Sequence, residues 1–275
     1  MLTLFTAPKP FDGHAAVAQM NALRSWERLR PQARILVMGD AEGAGDAAAA
    51  VGAEHVPAVA LNDFGTPLAD SVFRLAHEYA RDEGLLAWMN ADIIVLQDFA
   101  DALVRVGLPR FLVVGRRRNV DRLGPLAFGP GWERELRARS RRAKLERPWG
   151  SDYFAFPADG TFSVVPPFAI GRAGWDNWMI GQALRSGVPV VDATAAITAV
   201  HERHGHEHIR HFTGVRWGGP ESDTNVELLR SSLGSRAVPH LWDSSHVLGR
   251  RGLHRTFRPA ALWRRLRMPP SLWRS

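Results

Sequence analysis

The sequence predicts an α/β fold with a mostly parallel sheet and helices on its faces. Apolar runs of strand length alternate along the chain with segments of helical spacing. The chain has 275 residues, 45% of them hydrophobic, which is enough for one sizeable core. No apolar run approaches the roughly 20 residues that a membrane-spanning helix needs.

The alternation begins with an apolar segment at residues 1–6, followed by a helix over residues 13–29. Further strands are expected at residues 34–39, 55–59, 111–114, 188–192 and 198–201, and further helices at 47–51, 67–79, 98–106 and 174–185. Residues 116–147 are rich in arginine and are interpreted as a surface excursion with one polar helix. The pattern weakens after residue 205, so we expect one domain over residues 1–240 and a basic tail over 241–275.

The net charge of +7 is concentrated in that tail. No acidic residue follows Asp243, whereas eight arginines do, and the remaining chain carries 27 basic and 28 acidic residues. This distribution predicts no nucleic-acid partner. The tail mixes its arginines with tryptophan and leucine, a composition typical of contact with anionic membranes, although a disordered or packed tail is an equal alternative. The chain has no cysteine, which excludes disulfides, thiolate metal sites and cysteine nucleophiles.

Two apolar runs, residues 85–89 and 93–96, are separated only by Asn90, Ala91 and Asp92. Because both runs are expected to be buried, Asp92 becomes a carboxylate at the rim of the sheet, where it needs a partner. Ligands of parallel α/β sheets bind at the carboxyl ends of the strands, and carboxylate oxygens suit Mg²⁺ or Mn²⁺. The alternative is an Asx-type turn in which Asn90 and Asp92 bond the backbone.

Neither a dinucleotide-binding Gly-x-Gly-x-x-Gly motif nor a P-loop follows the predicted strands. The chain does resemble GT-A-type glycosyltransferases, which share the nucleotide-diphospho-sugar transferase fold. The resemblance covers roughly residues 1–211 and rests on four segments, which are FTAPKPF (5–11), WMNADIIVLQDF (88–99), FAIGRAGWDNWMI (168–180) and VHERH (200–204). It implies a single Rossmann-like GT-A domain with a mixed, mostly parallel central sheet.

The resemblance implies a nucleotide-sugar site made of residues from the first four predicted strands and the helix before WMNAD. The residues assigned to it are Thr6, Ala7, Pro8, Lys9, Asp40, Asp63, Arg74, Asn90, Ala91 and Asp92. Lys9 is expected to reach a diphosphate, with a solvated loop lysine as the equal alternative. For Asp40 and Asp63 simple turn chemistry is equally compatible, and for Arg74 the alternative is solvent.

The WMNAD segment stands where the family has its Asp-x-Asp motif, with Asn90 in place of the first acid. The resemblance leaves Asp92 as the residue that contacts a Mn²⁺ or Mg²⁺ ion. It also implies His201 as a metal ligand, because VHERH lies where many members place a C-terminal histidine. The alternative for the histidine-rich residues 201–211 is an exposed loop.

Asp176 in GWDNWMI is the expected general base, at a helix start where it can equally serve as an N-cap. Asp152 is the rival catalytic acid. Trp175, Asn177 and Trp178 are expected on the acceptor side, because aromatic faces stack on sugar rings, although tryptophans at helix starts are more often core residues.

These assignments predict a metal-assisted glycosyltransferase that moves a sugar from a nucleotide-diphosphate donor to the hydroxyl of a glycan or lipid-linked acceptor. Direct displacement with inversion is expected if Asp176 is the base. The alternative is a catalytically inactive protein of the same fold that binds a nucleotide sugar, a glycan or a protein partner, which Asn90 would support. The expected location is the cytoplasm, with the tail as a means of peripheral attachment to the inner face of the cell membrane.

Overall fold

A computed structural model describes residues 1–80, 84–203, 218–234 and 238–256. The strands are β1 (Leu2–Thr6), β2 (Arg34–Met38), β3 (Glu54–Val56), β4 (Leu85–Met89), β5 (Ile93–Val95), β6 (Leu112–Val114), β7 (Arg118–Val120), β8 (Lys144–Leu145), β9 (Tyr153–Pro157), β10 (Val190–Asp192), β11 (Ala199–Glu202), β12 (His246–Gly249) and β13 (Gly252–Arg255). The α-helices are α1 (Gly13–Glu27), α2 (Ala44–Ala50), α3 (Ala69–Ala80), α4 (Asp98–Val106), α5 (Trp132–Arg141), α6 (Trp175–Arg185) and α7 (Pro220–Leu233), and a short 3₁₀ helix covers Leu241–Asp243.

The central sheet has the strand order β13-β12-β10-β6-β9-β4-β1-β2-β3. The pairs from β4 through β1 and β2 to β3 are parallel, as are β6 with β10 and β10 with β12. Strand β9 is antiparallel to both of its neighbours, and β13 is antiparallel to β12. The predicted mixed, mostly parallel sheet flanked by helices is therefore confirmed.

Successive side chains of the central strands alternate between two buried layers. In β1, Leu4 belongs to the layer that contains residues of helices α1, α2 and α4. Its neighbour Phe5 belongs to the opposite layer, with residues of α3, α6 and α7. The sheet is thus buried on both faces, as parallel sheets require, and its carboxyl-end edge remains available for a site.

A second, four-stranded sheet has the order β5-β11-β7-β8. The chain passes from the central sheet to this one through the turn between β4 and β5, where the N–H of Ile93 donates to the carbonyl of Asn90 at 3.0 Å. Strand β11 is antiparallel to β5 and parallel to β7, a register that sets His201 opposite both Ile93 and Asn119. The polar residues between the two apolar runs therefore occupy the junction of two sheets.

The arginine-rich residues 116–147 contain the expected helix, α5, but they also contribute β7 and β8 to the second sheet. Sheet structure also continues past residue 240, where β12 and β13 form a hairpin at the edge of the central sheet. Their turn residues, Arg250 and Arg251, belong to the arginines that marked this segment as tail in the sequence. Helix α7 likewise lies in the region where the sequence pattern weakened.

None of the helices in the described ranges is both long enough and apolar enough to cross a membrane. The histidines from residue 204 to 211 and the tail from residue 257 onward lie outside the described residues.

Candidate active site

Polar side chains meet where the carboxyl ends of β1 and β4 lie side by side in the central sheet. Lys9 follows β1 and is fixed by Gln19, whose Oε1 accepts from the backbone N–H of Lys9 at 2.8 Å and whose Nε2 donates to its carbonyl at 3.0 Å. Burial lowers the pKa of the Lys9 ammonium, the Asp92 carboxylate opposes this shift, and Arg117 adds to it. Lys9 is therefore part of a charged site and not a fully solvated loop lysine.

Asp92 and His201 face each other across the junction of the two sheets. His201 Nε2 lies 3.6 Å from Asp92 Oδ2, and both side chains are largely buried. The opposite ring nitrogen, Nδ1, lies 3.2 Å from Asn119 Oδ1. Because an amide oxygen only accepts, Nδ1 carries a proton in this contact, and Nε2 is the ring nitrogen that faces Asp92.

The orientation of the Asn119 amide is set by two charged neighbours. Arg117 Nε donates to Asn119 Oδ1 at 3.0 Å, and Asn119 Nδ2 donates to Glu146 Oε2 at 2.7 Å. Arg117 and Glu146 thus orient the Asn119 amide, and the amide oxygen in turn determines which ring nitrogen of His201 donates to it. A hydrogen bond to the far ring nitrogen is the usual means by which proteins orient a metal-binding histidine.

The Asp92 and His201 pair fits a divalent cation. Ligand distances of about 2.1 Å allow two atoms 3.6 Å apart to reach one ion. Within the described ranges, no group of three or more His, Asp or Glu side chains is arranged to hold a metal. Sites with few protein ligands are typical of Mg²⁺ that also binds substrate phosphates and water.

Asn90 has a specific partner in Asp152, which directly precedes β9, the antiparallel neighbour of β4. The backbone N–H of Asn90 donates to the carbonyl of Asp152 at 2.9 Å, and Asn90 Nδ2 donates to Asp152 Oδ1 at 3.0 Å. Asn90 Oδ1 accepts from Trp88 Nε1 at 3.2 Å. Both ends of the amide are therefore used, and a carboxylate in its place would face the carboxylate of Asp152.

Arg117 joins the carboxylates of the site and was missed by the sequence analysis. It forms an ion pair with Asp152 Oδ1 and lies 3.6 Å from Glu146 Oε2. Burial disfavours its charged form, but the carboxylates of Asp152, Asp92 and Glu146 outweigh burial and raise the pKa of Arg117. The available signal was its position, since Arg117 comes three residues after the end of the apolar strand β6, near where parallel strands place their ligands.

Asp176 is the second residue of α6, and Gly174 takes the N-cap position with a φ of 103°. Asp176 Oδ2 accepts from the backbone N–H of Ser151 at 3.1 Å. Burial raises the pKa of Asp176 to about 6, and the nearby Asp152 carboxylate adds to the rise, while the N–H groups of Ser151 and Asn177 oppose it. This carboxyl group changes its charge close to neutral pH, as a general base requires.

The three residues expected on the acceptor side have packing roles instead. The ring of Trp175 is 4% exposed and forms edge contacts with Phe73, Trp88 and Phe154. Trp178 is 2% exposed and lies in the same layer as these rings. Neither ring offers a face to a sugar, because the apolar layer between α6 and the sheet encloses both.

Asn177, the third of these residues, is also buried and joins two chain segments. Its Nδ2 donates to the carbonyl of Trp149 at 3.1 Å and to that of Pro239 at 2.7 Å. The acceptor-side role is therefore not supported for the Asn177 side chain either, since its amide group is used to hold backbone.

The remaining residues assigned to the nucleotide site fall into two groups. Thr6, Pro8 and Ala91 are buried and Ala7 is half-buried, and all four stand at or just after the carboxyl ends of β1 and β4. Asp40 and Asp63 are exposed, and so is Arg74.

The turn that contains Asp63 is stabilised by its neighbour Asn62, whose Oδ1 accepts from the N–H groups of Phe64 and Thr66. Arg74 lies on the outer face of α3, where its Nη1 is 2.5 Å from Glu78 Oε1 one helical turn away. The buried face of α3 is apolar and Arg74 is on the opposite face, so the structure does not bring Arg74 together with Lys9 and Asp92.

No protein-family model matches this chain, and no curated protein matches it. Among solved structures it is similar to GalNAc-T7 with UDP, GalNAc and Mn²⁺. The two share 12% identity with a TM-score of 0.54, over 84% of this chain and 48% of the other, so this chain spans about half the length of that protein. This likeness shows the GT-A fold.

Two further solved structures are similar to this chain. Glucosyl-3-phosphoglycerate synthase from Mycobacterium tuberculosis, in complex with Mg²⁺ and UDP, has 17% identity and a TM-score of 0.46 over 85% of this chain and 79% of its own. The mannosyltransferase PcManGT from Pyrobaculum calidifontis, in complex with GDP-Man and Mn²⁺, has 12% identity and a TM-score of 0.44 over 74% and 56%.

Proposed function

We propose that this protein is a glycosyltransferase that moves a sugar from a nucleotide-diphosphate donor to an acceptor hydroxyl with the help of Mn²⁺ or Mg²⁺. The observation that carries the proposal is the pair of Asp92 and His201 at the junction of the two sheets, 3.6 Å apart. The GT-A fold supports it, because proteins of this fold in the comparisons bind UDP or GDP with Mn²⁺ or Mg²⁺.

Asp92 Oδ2 and His201 Nε2 would hold the divalent ion. When bound, such an ion supplies positive charge that stabilises the leaving diphosphate. Asn119 Oδ1 accepts from Nδ1 of His201, so Nε2 would be the ring nitrogen that binds the ion. Because Asp92 and His201 alone do not complete a coordination sphere, the donor's phosphates are expected to be part of the site.

Lys9 would bind the diphosphate of the donor directly. Gln19 forms hydrogen bonds with both the N–H and the carbonyl of Lys9, so the loop after β1 has a defined conformation. The ammonium shares its surroundings with Arg117 and Arg172, whose positive charges disfavour its own. An incoming diphosphate relieves this repulsion, and binding is therefore favoured by charges that are already in place.

Asp176 would act as the general base that accepts the proton of the acceptor hydroxyl. Burial raises its pKa to about 6, so it is ionised at neutral pH but remains basic enough to accept a proton. The N–H of Ser151 donates to Asp176 Oδ2 at 3.1 Å and so fixes the position of the carboxylate. Attack by the activated hydroxyl on the anomeric carbon, opposite the departing diphosphate, gives inversion of configuration.

Asp152 is better suited to positioning than to proton transfer. Its Oδ1 accepts from Asn90 and forms an ion pair with Arg117, so this oxygen is already used. It holds Asn90 and Arg117 in place next to Asp92 and raises the pKa of Asp176 through its charge.

The alternative of an inactive binding protein rested on Asn90 in place of an acid. In this structure Asn90 donates a hydrogen bond to Asp152, so Asp152, just before β9, supplies the carboxylate at this point of the site. The substitution therefore does not by itself indicate a loss of catalysis.

The proposal is tested by a thermal-shift screen of UDP-, GDP-, ADP- and CDP-sugars with and without Mn²⁺, followed by assays of donor hydrolysis. We expect one nucleotide class to raise the Tm in the presence of Mn²⁺ and to be slowly hydrolysed, since ligand binding to the native state stabilises it. NMR of the anomeric proton in the product then tests inversion. A chain that no nucleotide sugar stabilises, with or without metal, contradicts the proposal.

A further inference from the structure

Two exposed tryptophans form a patch that neither the fold nor the proposed catalytic residues explain. Trp149 is 51% exposed and Trp242 is 46% exposed. Their ring centroids lie 6.0 Å apart with planes at 53°, so the rings do not cover each other's faces. The buried ring of His240 packs against both, with centroids 4.3 Å from Trp149 and 5.8 Å from Trp242. Exposing two indoles is unfavourable, which suggests a ligand.

The backbone that carries this patch is held firmly. The N–H of Leu241 donates to the carbonyl of Pro148 at 3.2 Å, and Asn177 Nδ2 bonds the carbonyls of Trp149 and Pro239. These bonds join the segment before β9 to the 3₁₀ helix, so the two tryptophans are positioned relative to each other.

The 3₁₀ helix has its own cap. The N–H of His240 donates to Asp243 Oδ2 at 3.0 Å, and His240 Nδ1 accepts from the N–H of Trp242 at 3.2 Å. The backbone of Trp242 is therefore fixed before any ligand binds, which lowers the entropic cost of binding.

The patch lies beside the candidate base. Trp149 is two residues from Ser151, whose N–H donates to Asp176 Oδ2 at 3.1 Å. Gly150 lies between them, and a Cβ atom on it would be 3.8 Å from the same carboxylate oxygen. On the other side, Asn177 follows Asp176 directly in α6 and bonds Trp149. The backbone that carries Trp149 is therefore anchored next to the candidate base.

We propose that Trp149 and Trp242 form the acceptor subsite and bind the apolar face of a pyranose ring, with one of its hydroxyls directed to Asp176. This inference rests on the proposed function. A sugar ring combines a C–H face, which packs on an indole, with hydroxyls that donate to a carboxylate. A protein partner fits less well, because a stable interface buries about 1,600 Å² and the two rings form only a small patch.

The test uses the full chain labelled with 5-fluorotryptophan and observed by ¹⁹F NMR, with the methyl glycosides of glucose, galactose, mannose and N-acetylglucosamine as probes. The variants Trp149→Phe and Trp242→Phe assign the two resonances. We expect at least one glycoside to shift both in a saturable manner, while the resonances of the buried Trp26 and Trp88 stay in place. If none of the four glycosides shifts either resonance at millimolar concentrations, the inference is overturned.

Affinity measurements separate binding from an indirect effect on folding. Trp149→Ala should raise the Kd of the binding glycoside by about tenfold, the usual cost of removing an aromatic anchor. Trp149→Phe, which keeps a ring, should recover much of this loss. Trp132→Ala, at a partly buried tryptophan of α5, is the matched control and should leave the Kd unchanged. Equal losses in the Trp149 and Trp132 variants contradict the inference.

Calorimetry of UDP, GDP, ADP and CDP with Mn²⁺ on the same samples distinguishes this inference from the proposed function. Nucleotide binding without any glycoside response leaves the proposed function standing and overturns the acceptor subsite. A glycoside response without nucleotide binding overturns the proposed function, and with it the acceptor role of the two tryptophans.

Discussion

Replacing Asn90 by aspartate restores the acid that GT-A proteins usually have at this place, and the structure predicts that it destabilises the chain. Asn90 Nδ2 donates to Asp152 Oδ1 at 3.0 Å. In Asn90→Asp a carboxylate oxygen takes the place of this nitrogen, so a favourable contact becomes a repulsion between two negative charges. The fold can avoid the repulsion only if one of the two carboxyl groups takes up a proton.

The loss of stability is set by the smaller of two free-energy costs, which are the repulsion between two ionised carboxylates and the protonation of one of them. Two unit charges 3.0 Å apart repel by about 5.5 kcal/mol at an effective dielectric constant of about 20. Protonating a carboxyl group of ordinary pKa costs about 4 kcal/mol at pH 7 and about 1.5 kcal/mol at pH 5. Protonation is cheaper, so the loss of stability is about 4 kcal/mol at pH 7. The folded-state pKa is raised, and the loss therefore grows by about 1.4 kcal/mol per pH unit above pH 4.

Urea denaturation of the wild type and Asn90→Asp at pH 5, 6 and 7 measures this loss. Asn90→Ala is the control, because it removes the same hydrogen bond without adding charge and should lower the free energy of unfolding equally at all three values. If Asn90→Asp is as stable as the wild type at pH 7, or if its loss does not change with pH, Asn90 is not the complement of Asp152 and the reasoning fails.

Three further predictions concern the proposed catalytic groups. Asp176→Asn should slow sugar transfer by about 10²–10⁴-fold. It should also abolish the fall in kcat that the wild type shows as Asp176 is protonated below pH 6. A pH-rate profile that keeps its acidic limb in the variant excludes Asp176 as the base. Asn119→Ala should weaken Mn²⁺ binding by about 10–100-fold in calorimetry, because His201 loses the acceptor for its Nδ1 proton; unchanged affinity contradicts this positioning role. Lys9→Ala should weaken binding of a nucleoside diphosphate but not of the nucleoside in a fluorescence competition assay, whereas Arg74→Ala, on the outer face of α3, should change neither.

The sequence predicted the central sheet and its helices well because their patterns are local. The apolar run at residues 1–6 became β1 (Leu2–Thr6), and the helical spacing at residues 174–185 became α6 (Trp175–Arg185). Such segments carry their own periodicity, so the sequence alone places them. The strand β12 was missed because its four residues are followed by arginines that made the whole segment resemble a tail.

The site was less predictable because it depends on pairing between distant segments. Asp92 and His201 meet only through the pairing of β5 with β11, and Asn119 joins them through the pairing of β7 with β11. Strand β7 has three residues between arginine-rich stretches, too few to show a period. Trp175 is buried whereas Trp149 is exposed, although both are tryptophans. Burial depends on the neighbouring layers and cannot be predicted from the residue type alone.

The central claim is that Asp92 holds a divalent ion needed for binding the donor's diphosphate. Calorimetry of the nucleotide selected by the thermal-shift screen, with and without Mn²⁺, compares the wild type with Asp92→Asn, which keeps the size of the side chain and removes its charge. We expect the wild type to bind the nucleotide more tightly with Mn²⁺ and the variant to show no such gain at an unchanged Tm. An equal gain from Mn²⁺ in both proteins would contradict the account.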